Sequence, residues 1–323
     1  MLLDREDVIK FKKSNLIRIG GITFVIAFLI LIGLKIIWIK NYFPEQTLDF
    51  LHLRIIFFGG IVAYTIGLLD DIFNLNHLIR LFSQLLLGAF TWFLGIRIEN
   101  LQIDFLQYNF SFDLPILLSI LISTIWIAGI INAINWMDGL DGLATGIVLT
   151  AAISFAFISN AYNSNTILLT SSALAGSTLG FLKFNKTPAK ILMGDGGSYF
   201  LGYIISILAI LSCFYRSNSL GSSDLYIILV PLLILFIPLS DMCFVIFKRI
   251  KKGVSPFKGD KNHLHYRLIK SGYSEKSAVK LIIALAIIFS SFALILDKKY
   301  IESLFFIISL YPLCKNISIK KIT

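Results

Sequence analysis

Ten stretches of this chain are apolar over about the length that a helix needs to cross a bilayer, and no other feature limits the fold as much. Lipid offers no partner to backbone N–H and C=O groups, so a segment in the hydrocarbon core pairs them within itself as a helix of about 20 residues. The stretches lie near 20–38, 51–69, 78–95, 113–132, 142–159, 165–182, 197–214, 225–246, 279–296 and 300–314. Only 15% of the 323 residues are charged and 57% are hydrophobic, against roughly a quarter charged in soluble domains. A transmembrane barrel would show short alternating segments instead of continuous apolar runs. There is no Pro/Ser-rich linker, low-complexity tract or clear repeat. The expectation is an all-α polytopic membrane protein of about ten transmembrane helices, forming one domain over residues 1–323.

Basic charge orients such a bundle, because cytoplasmic segments carry the excess of Lys and Arg. With the N-terminus inside, the outer segments hold Lys40, Arg54, Arg97, Arg216, Lys298 and Lys299, and Lys35 interrupts the first span. The other 22 of the 29 basic residues fall inside. Lys35 is expected to snorkel to the outer interface. The opening MLLDREDVIKFKK is charged and unlike a signal peptide. The net charge of +10 is therefore a matter of topology, and no nucleic-acid partner is expected. Cys213, Cys243 and Cys314 lack metal-type spacing and read as small packing residues. Ala175, Gly176 and Ser177 read as a place of close helix packing.

That topology uses hydrophobicity and basic charge alone, yet it puts the acidic and amide clusters on one face. Asp70-Asp71 end the second span; Asn132, Asn135, Asp138 and Asp141 lie between the fourth and fifth; Asp195 starts the seventh; Asp241 is near the inner end of the eighth. Residues three apart are neighbours on a helix, so Asn132, Asn135 and Asp138 form a drifting polar stripe. Oxygen donors at this density suit a hard cation such as Mg²⁺; a polar loop at a helix end is the plainer reading. Asp70 and Asp71 would be offset by about 100° on a helix, so one can face a cleft while a neighbour holds the other. In MGDGGS, glycines before a new span let backbone N–H groups approach an anion. Asp195 beside those donors would hold the metal that bridges to phosphate. His263 and His265, two apart, would point to different sides of a helix, unlike a two-His metal face. With Lys258, Lys261 and Arg267 nearby they suit phosphate binding. His52 and His77 have no such company.

Together these segments resemble the polyprenyl-phosphate N-acetylhexosamine-1-phosphate transferase family. GLLDDIFNL resembles its paired aspartates, NAINWMDGLDGLA its Asn-rich segment, FNKTPAKILMGDGGSYFLG its magnesium segment and SPFKGDKNHLHYRL its histidine loop. There are departures: Tyr266 stands where the family's His-X-His-His pattern ends, and NLIRIGG keeps Arg18, Gly20 and Gly21 of an N-terminal pattern but neither of its prolines. The family usually carries one more span before that point, so that helix is dispensable or the chain's start is placed too late.

The resemblance implies transfer of a sugar-1-phosphate from a UDP-N-acetyl sugar, N-acetylglucosamine being favoured, to polyprenyl phosphate with release of UMP. It implies Asp195 as the main Mg²⁺ ligand beside Asn135, with Mn²⁺ as an alternative ion. Asp70 and Asp71 would orient or deprotonate the lipid phosphate, while Asp138 and Asp141 shape the metal and nucleotide pocket. Asn132 and Asn185 would bind substrate, Asn185 at the uridine, and His263, His265 and Arg267 would clamp phosphates. The expected setting is a multi-pass plasma-membrane enzyme with its site on the cytoplasmic face, with homodimerisation a further expectation. The rival class is a lipid or solute transporter or flippase, which would carry its polar groups near the midplane.

Overall fold

The computed structural model describes residues 20–43, 47–105, 108–159, 164–220, 226–256, 262–314 and 317. Lys258, Lys261 and the N-terminal basic cluster lie outside the described residues. In chain order the helices are α1 (Gly21–Tyr42), α2 (Thr47–Phe73), α3 (His77–Phe93), α4 (Ile116–Met137), α5 (Leu143–Ser159), α6 (Asn165–Asn185) and α7 (Gly194–Leu220). There follow α8 (Tyr226–Ile234), α9 (Phe236–Lys251), α10 (Leu264–Lys270), α11 (Glu275–Leu296) and α12 (Tyr300–Cys314).

Each of the ten apolar stretches is helical, but they are not alike. Six helices are long and apolar enough to cross a membrane, and α8 with α9 makes a seventh only as a pair bent by 80°. Helices α5 and α12 are apolar but shorter. Helix α3 has 17 residues and is capped at its N-terminus by Asn76, whose side chain accepts from the Leu78 N–H. One feature is additional to the sequence expectation. An antiparallel hairpin, β1 (Asn100–Phe105) and β2 (Tyr108–Asp113), joins α3 to α4, with Asn100 opposite Asp113.

Helix α7 is the axis of the bundle. Its side chains meet protein on every side: Tyr199, Phe200, Leu201, Tyr203, Ile204 and Ile205 are all buried. Of its spanning window 89% is buried, against 28–50% for the other five. Helices α2 and α4 flank it. Phe24 and Phe28 of α1 reach the Phe200 ring at 6.1 and 5.3 Å, and α5 packs against α6 and α11. At the far end from the aspartate clusters, the hydroxyls of Thr166 and Tyr215 both donate to Asp49 Oδ1, at 2.6 and 2.9 Å, tying α6 and α7 to α2. Lys35 places its ammonium 3.7 Å from the Trp38 ring centroid, a cation–π contact one turn toward that end.

Two packing expectations change. Cys213 is half-buried, but Cys243 and Cys314 are exposed on the outside of the bundle. A side chain added at Gly176 would meet open space, so this glycine marks no close helix contact. The close approach is elsewhere: a Cβ at Gly67 of α2 would overlap the backbone carbonyl of Asp195. Only a glycine lets α2 lie against the N-terminus of α7.

Candidate active site

Successive helices run in opposite directions, so one end of the bundle gathers the C-termini of α2, α4 and α6 and the N-termini of α3, α5 and α7. Asp70 is buried there with both carboxylate oxygens engaged. Its Oδ1 accepts from the Leu75 N–H at 3.0 Å; its Oδ2 accepts from Arg80 Nη1 at 3.1 Å and the Tyr199 hydroxyl at 2.9 Å. Asp70 thus ties the α2–α3 turn to the central helix. That turn passes through Asn74, whose φ of 48° is left-handed, a conformation asparagine tolerates better than most residues. Asp71 points elsewhere: its Oδ2 accepts from the Gly196 N–H at 3.0 Å. The anion at the α7 N-terminus is therefore this carboxylate, supplied by α2 across the Gly67 contact, which complements the positive end of the helix dipole.

Asp195, in the first turn of α7, is half-buried and accepts from Asn135 Nδ2 at 2.7 Å. The same amide nitrogen lies 3.0 Å from Ser198 Oγ. Asn135 accordingly orients Asp195 through its nitrogen, leaving the amide oxygen as its only metal-donor atom.

Two cavities meet at these residues. One, of about 250 Å³, is lined by Asp70, Asp71, Asn74, Leu75, Arg80 and Asp195. The other, of about 190 Å³, includes Asp71, Asp138, Asp141, Asn185 and Asp195 in its wall. Asp71 and Asp195 belong to both, and among the described residues Arg80 is the one cation in their lining. Neighbouring carboxylates at this density repel one another, so a cation or an arriving positive group is strongly favoured. Among the described residues, no group of three His, Cys, Asp or Glu side chains is placed to enclose a metal ion. An ion held here would take one or two carboxylates and complete its shell with water. That is the habit of Mg²⁺, and the all-oxygen donor set fits it.

The second cavity is framed by a turn held from behind. Asp138 caps the C-terminus of α4. Asp141 Oδ2 accepts from the Ala189 N–H at 2.9 Å. Gly142, at φ 77°, continues the turn, and its N–H donates to Asn185 Oδ1 at 3.1 Å. The Thr145 hydroxyl donates to the same oxygen at 2.9 Å, while Asn185 Nδ2 donates to the Ile191 carbonyl at 3.0 Å. Asn185 therefore builds the cavity wall by joining α6 to the α4–α5 turn. Asn132 is not brought to either cavity. Its amide donates to Gln84 Oε1 of α3 and to the Ala128 carbonyl, inside the bundle. The helical stripe drifts, and the turn that carries Asn135 and Asp138 to the cavities leaves Asn132 facing α3.

The two histidines do not point apart. His263 precedes α10 with extended backbone (φ −61°, ψ 152°), whereas His265 lies inside the helix. This break lets their rings stack at 5.7 Å and 9°. Tyr266 packs on His265 at 4.3 Å, and a Cβ at Gly139 would collide with the His265 ring. The histidine loop therefore seats on the Asp138–Asp141 turn. Arg267 extends over the Phe244 ring at 4.1 Å. Sequence reasoning assigned no role to Arg80, Tyr199 or Asp241. For Arg80 and Asp241 there was a signal: a charged side chain in a mostly apolar helix needs a partner. For Tyr199 there was none.

The glycosyl transferase family 4 model matches residues 53–213. The probable undecaprenyl-phosphate N-acetylglucosaminyl 1-phosphate transferase of Bacillus subtilis is 36% identical over 250 residues, covering 77% of this chain and 67% of the relative. The decaprenyl-phosphate N-acetylglucosaminephosphotransferase of Mycobacterium leprae is 31% identical over 281 residues, covering 82% and 69%. The phospho-N-acetylmuramoyl-pentapeptide-transferase of Clostridium beijerinckii is 32% identical over 283 residues, covering 83% and 78%.

Proposed function

Because the chain belongs to glycosyl transferase family 4, we propose that it moves N-acetylglucosamine-1-phosphate from the UDP-sugar to a polyprenyl phosphate at the start of cell-envelope polysaccharide synthesis. The observation that carries this reading is the pair of cavities sharing Asp71 and Asp195. The phosphate ends of two substrates can lie side by side there, facing each other at the common wall. We place the polyprenyl phosphate in the cavity that holds Arg80 and the UDP-sugar in the one framed by Asp138, Asp141 and Asn185. Arg80 is held by Asp70, so a guanidinium is ready for a phosphate oxygen without further ordering.

In the reaction an oxygen of the lipid phosphate attacks the sugar-bearing phosphorus, the bond from that phosphorus to the UMP oxygen breaks, and UMP leaves. A phosphate monoester has its second pKa near 6, so the nucleophile is mostly dianionic at neutral pH. A strong base is not required, and Asp71 serves chiefly to set geometry at the α7 N-terminus. The harder problem is repulsion between anions in an acidic cleft. Asp195, oriented by Asn135, would hold Mg²⁺ (or Mn²⁺), which would neutralise charge on the bridging phosphates. His263 and Arg267, which line neither cavity, would complete the phosphate-binding side from the neighbouring loop, and the fully buried His265 would support the His263 ring.

The aspartates lie at helix ends: Asp70 and Asp71 in the last turn of α2, Asp195 in the first turn of α7. A transporter would be expected to keep such groups near the midplane. We further propose that all ten apolar segments cross the plasma membrane with the N-terminus inside, which puts the site at the cytoplasmic face, and that the protein forms a homodimer. The test is transfer by membranes with labelled UDP-N-acetylglucosamine, undecaprenyl phosphate and Mg²⁺. A chelator-sensitive lipid-linked product with stoichiometric UMP supports the reading; absence of lipid product from well-folded protein with every UDP-sugar tried refutes it.

A further inference from the structure

Asp241 lies outside both cavities, yet it is buried and both of its oxygens are committed to the histidine loop. The chain bends by 80° between α8 and α9, and α9 then packs on α4, which brings Asp241 beside the end of the polar segment. Its Oδ2 is 2.8 Å from His263 Nδ1, and its Oδ1 accepts from the Leu264 N–H at 2.6 Å. An ionised carboxylate only accepts, so Nδ1 of His263 is the donor in this pair. The nitrogen that remains for a ligand is therefore Nε2. The ring is fixed on its other sides as well. Trp136 meets it edge-on at 5.4 Å and His265 stacks on it, while the guanidinium of Arg249 lies 4.9 Å from the Trp136 ring. Trp136 directly follows Asn135, which holds Asp195.

We propose that Asp241 is a positioning residue for the transfer reaction, acting through His263: it holds the imidazole with Nδ1–H on the carboxylate so that Nε2 is presented to a substrate phosphate. Phosphate oxygens are acceptors, so binding one through Nε2 requires a proton there, and the ring then carries a positive charge. Among the described residues the other charged or titratable groups near the pair are Arg267, whose Nη2 is 3.9 Å from Asp241 Oδ1, His265 in the stack and Arg249, which lies over Trp136. Among the described residues Asp241 is thus the one acidic partner of the pair, which is why its removal should alter His263 more than the fold around it.

This inference rests on the transferase reading, and the experiment separates the two. Steady-state kinetics are measured on purified, detergent-solubilised full-length protein for the unaltered chain, Asp241→Asn, His263→Ala and the double variant. Asp241→Asn keeps an oxygen for the Leu264 N–H, and thermal unfolding checks that it folds. Expected is at least a tenfold loss of kcat/KM for the UDP-sugar in each single variant, with the double variant no worse than His263→Ala, because residues that act as a unit are not additive. Asp241→Asn with unchanged kinetics, or losses that multiply in the double variant, would overturn the proposal. No transfer by the unaltered chain would instead overturn the transferase reading.

Discussion

Gly67→Ala tests whether the close approach of α2 and α7 sets the catalytic geometry. A Cβ at Gly67 would lie 2.6 Å from the Asp195 carbonyl carbon and 2.7 Å from Gly196 Cα. Carbon atoms meet comfortably at about 3.5 Å, so the helices must separate by roughly 0.8–0.9 Å. The obstacle is backbone at the start of the most buried helix, and it cannot swing aside as a side chain would. A separation of that size stretches the 3.0 Å bond from Gly196 N–H to Asp71 beyond hydrogen-bonding range and pulls Asp70 and Asp71 away from Asp195. Misplacement of reacting groups by about 1 Å costs on the order of 10²-fold in rate. The assay is kcat at saturating UDP-N-acetylglucosamine and undecaprenyl phosphate, with thermal unfolding measured alongside. Gly176→Ala is the control, since its Cβ meets nothing; it should match the unaltered chain. If Gly67→Ala retains turnover within about twofold, close approach does not set the geometry and the argument is wrong.

Three further outcomes follow from the same contacts. Gly139→Ala should destabilise the protein by about 1–3 kcal/mol, because displacing the buried His265 ring is overpacking, and by shifting the histidine loop it should lower kcat/KM for the UDP-sugar; unchanged kinetics would separate the loop from catalysis. Tyr199→Phe removes one charge-assisted hydrogen bond to Asp70 and should destabilise the protein by about 1.5–3 kcal/mol, read as a lowered thermal midpoint in detergent. Chelation should abolish transfer and added Mg²⁺ restore it, while Asp195→Asn should lose the Mg²⁺-dependent turnover yet still insert; full activity in that variant would remove Asp195 from the metal assignment.

The positions of the helices and the gathering of the aspartates at one end were legible in the sequence. Membrane-length apolarity is a sum over about 20 consecutive residues, and it survives whatever the neighbours are. Helix direction alternates from span to span, so polar clusters at alternating ends must meet. Asp71, Asp138, Asp141 and Asp195 could therefore be grouped without knowing one contact, whereas Asn185 came only with the family resemblance. Asp70 was grouped correctly too, but that both of its oxygens are used within the protein could not be read from two adjacent letters.

What only the tertiary structure decided is which atom each of these side chains faces. Asp71 meets Gly196 across 125 residues, and Asp241 meets His263 around a bent helix and a loop. Asn132 shares a stripe with Asn135 in sequence, yet ends against Gln84 because helix rotation is set by packing. The stacking of His263 on His265 required a helix to begin between them. Helix formation is governed by local backbone chemistry, which a sequence displays directly. Side-chain partnership depends on how closely two helices can approach and how each is turned about its axis, and those quantities exist only once α2, α4 and α9 have packed around α7 and one another.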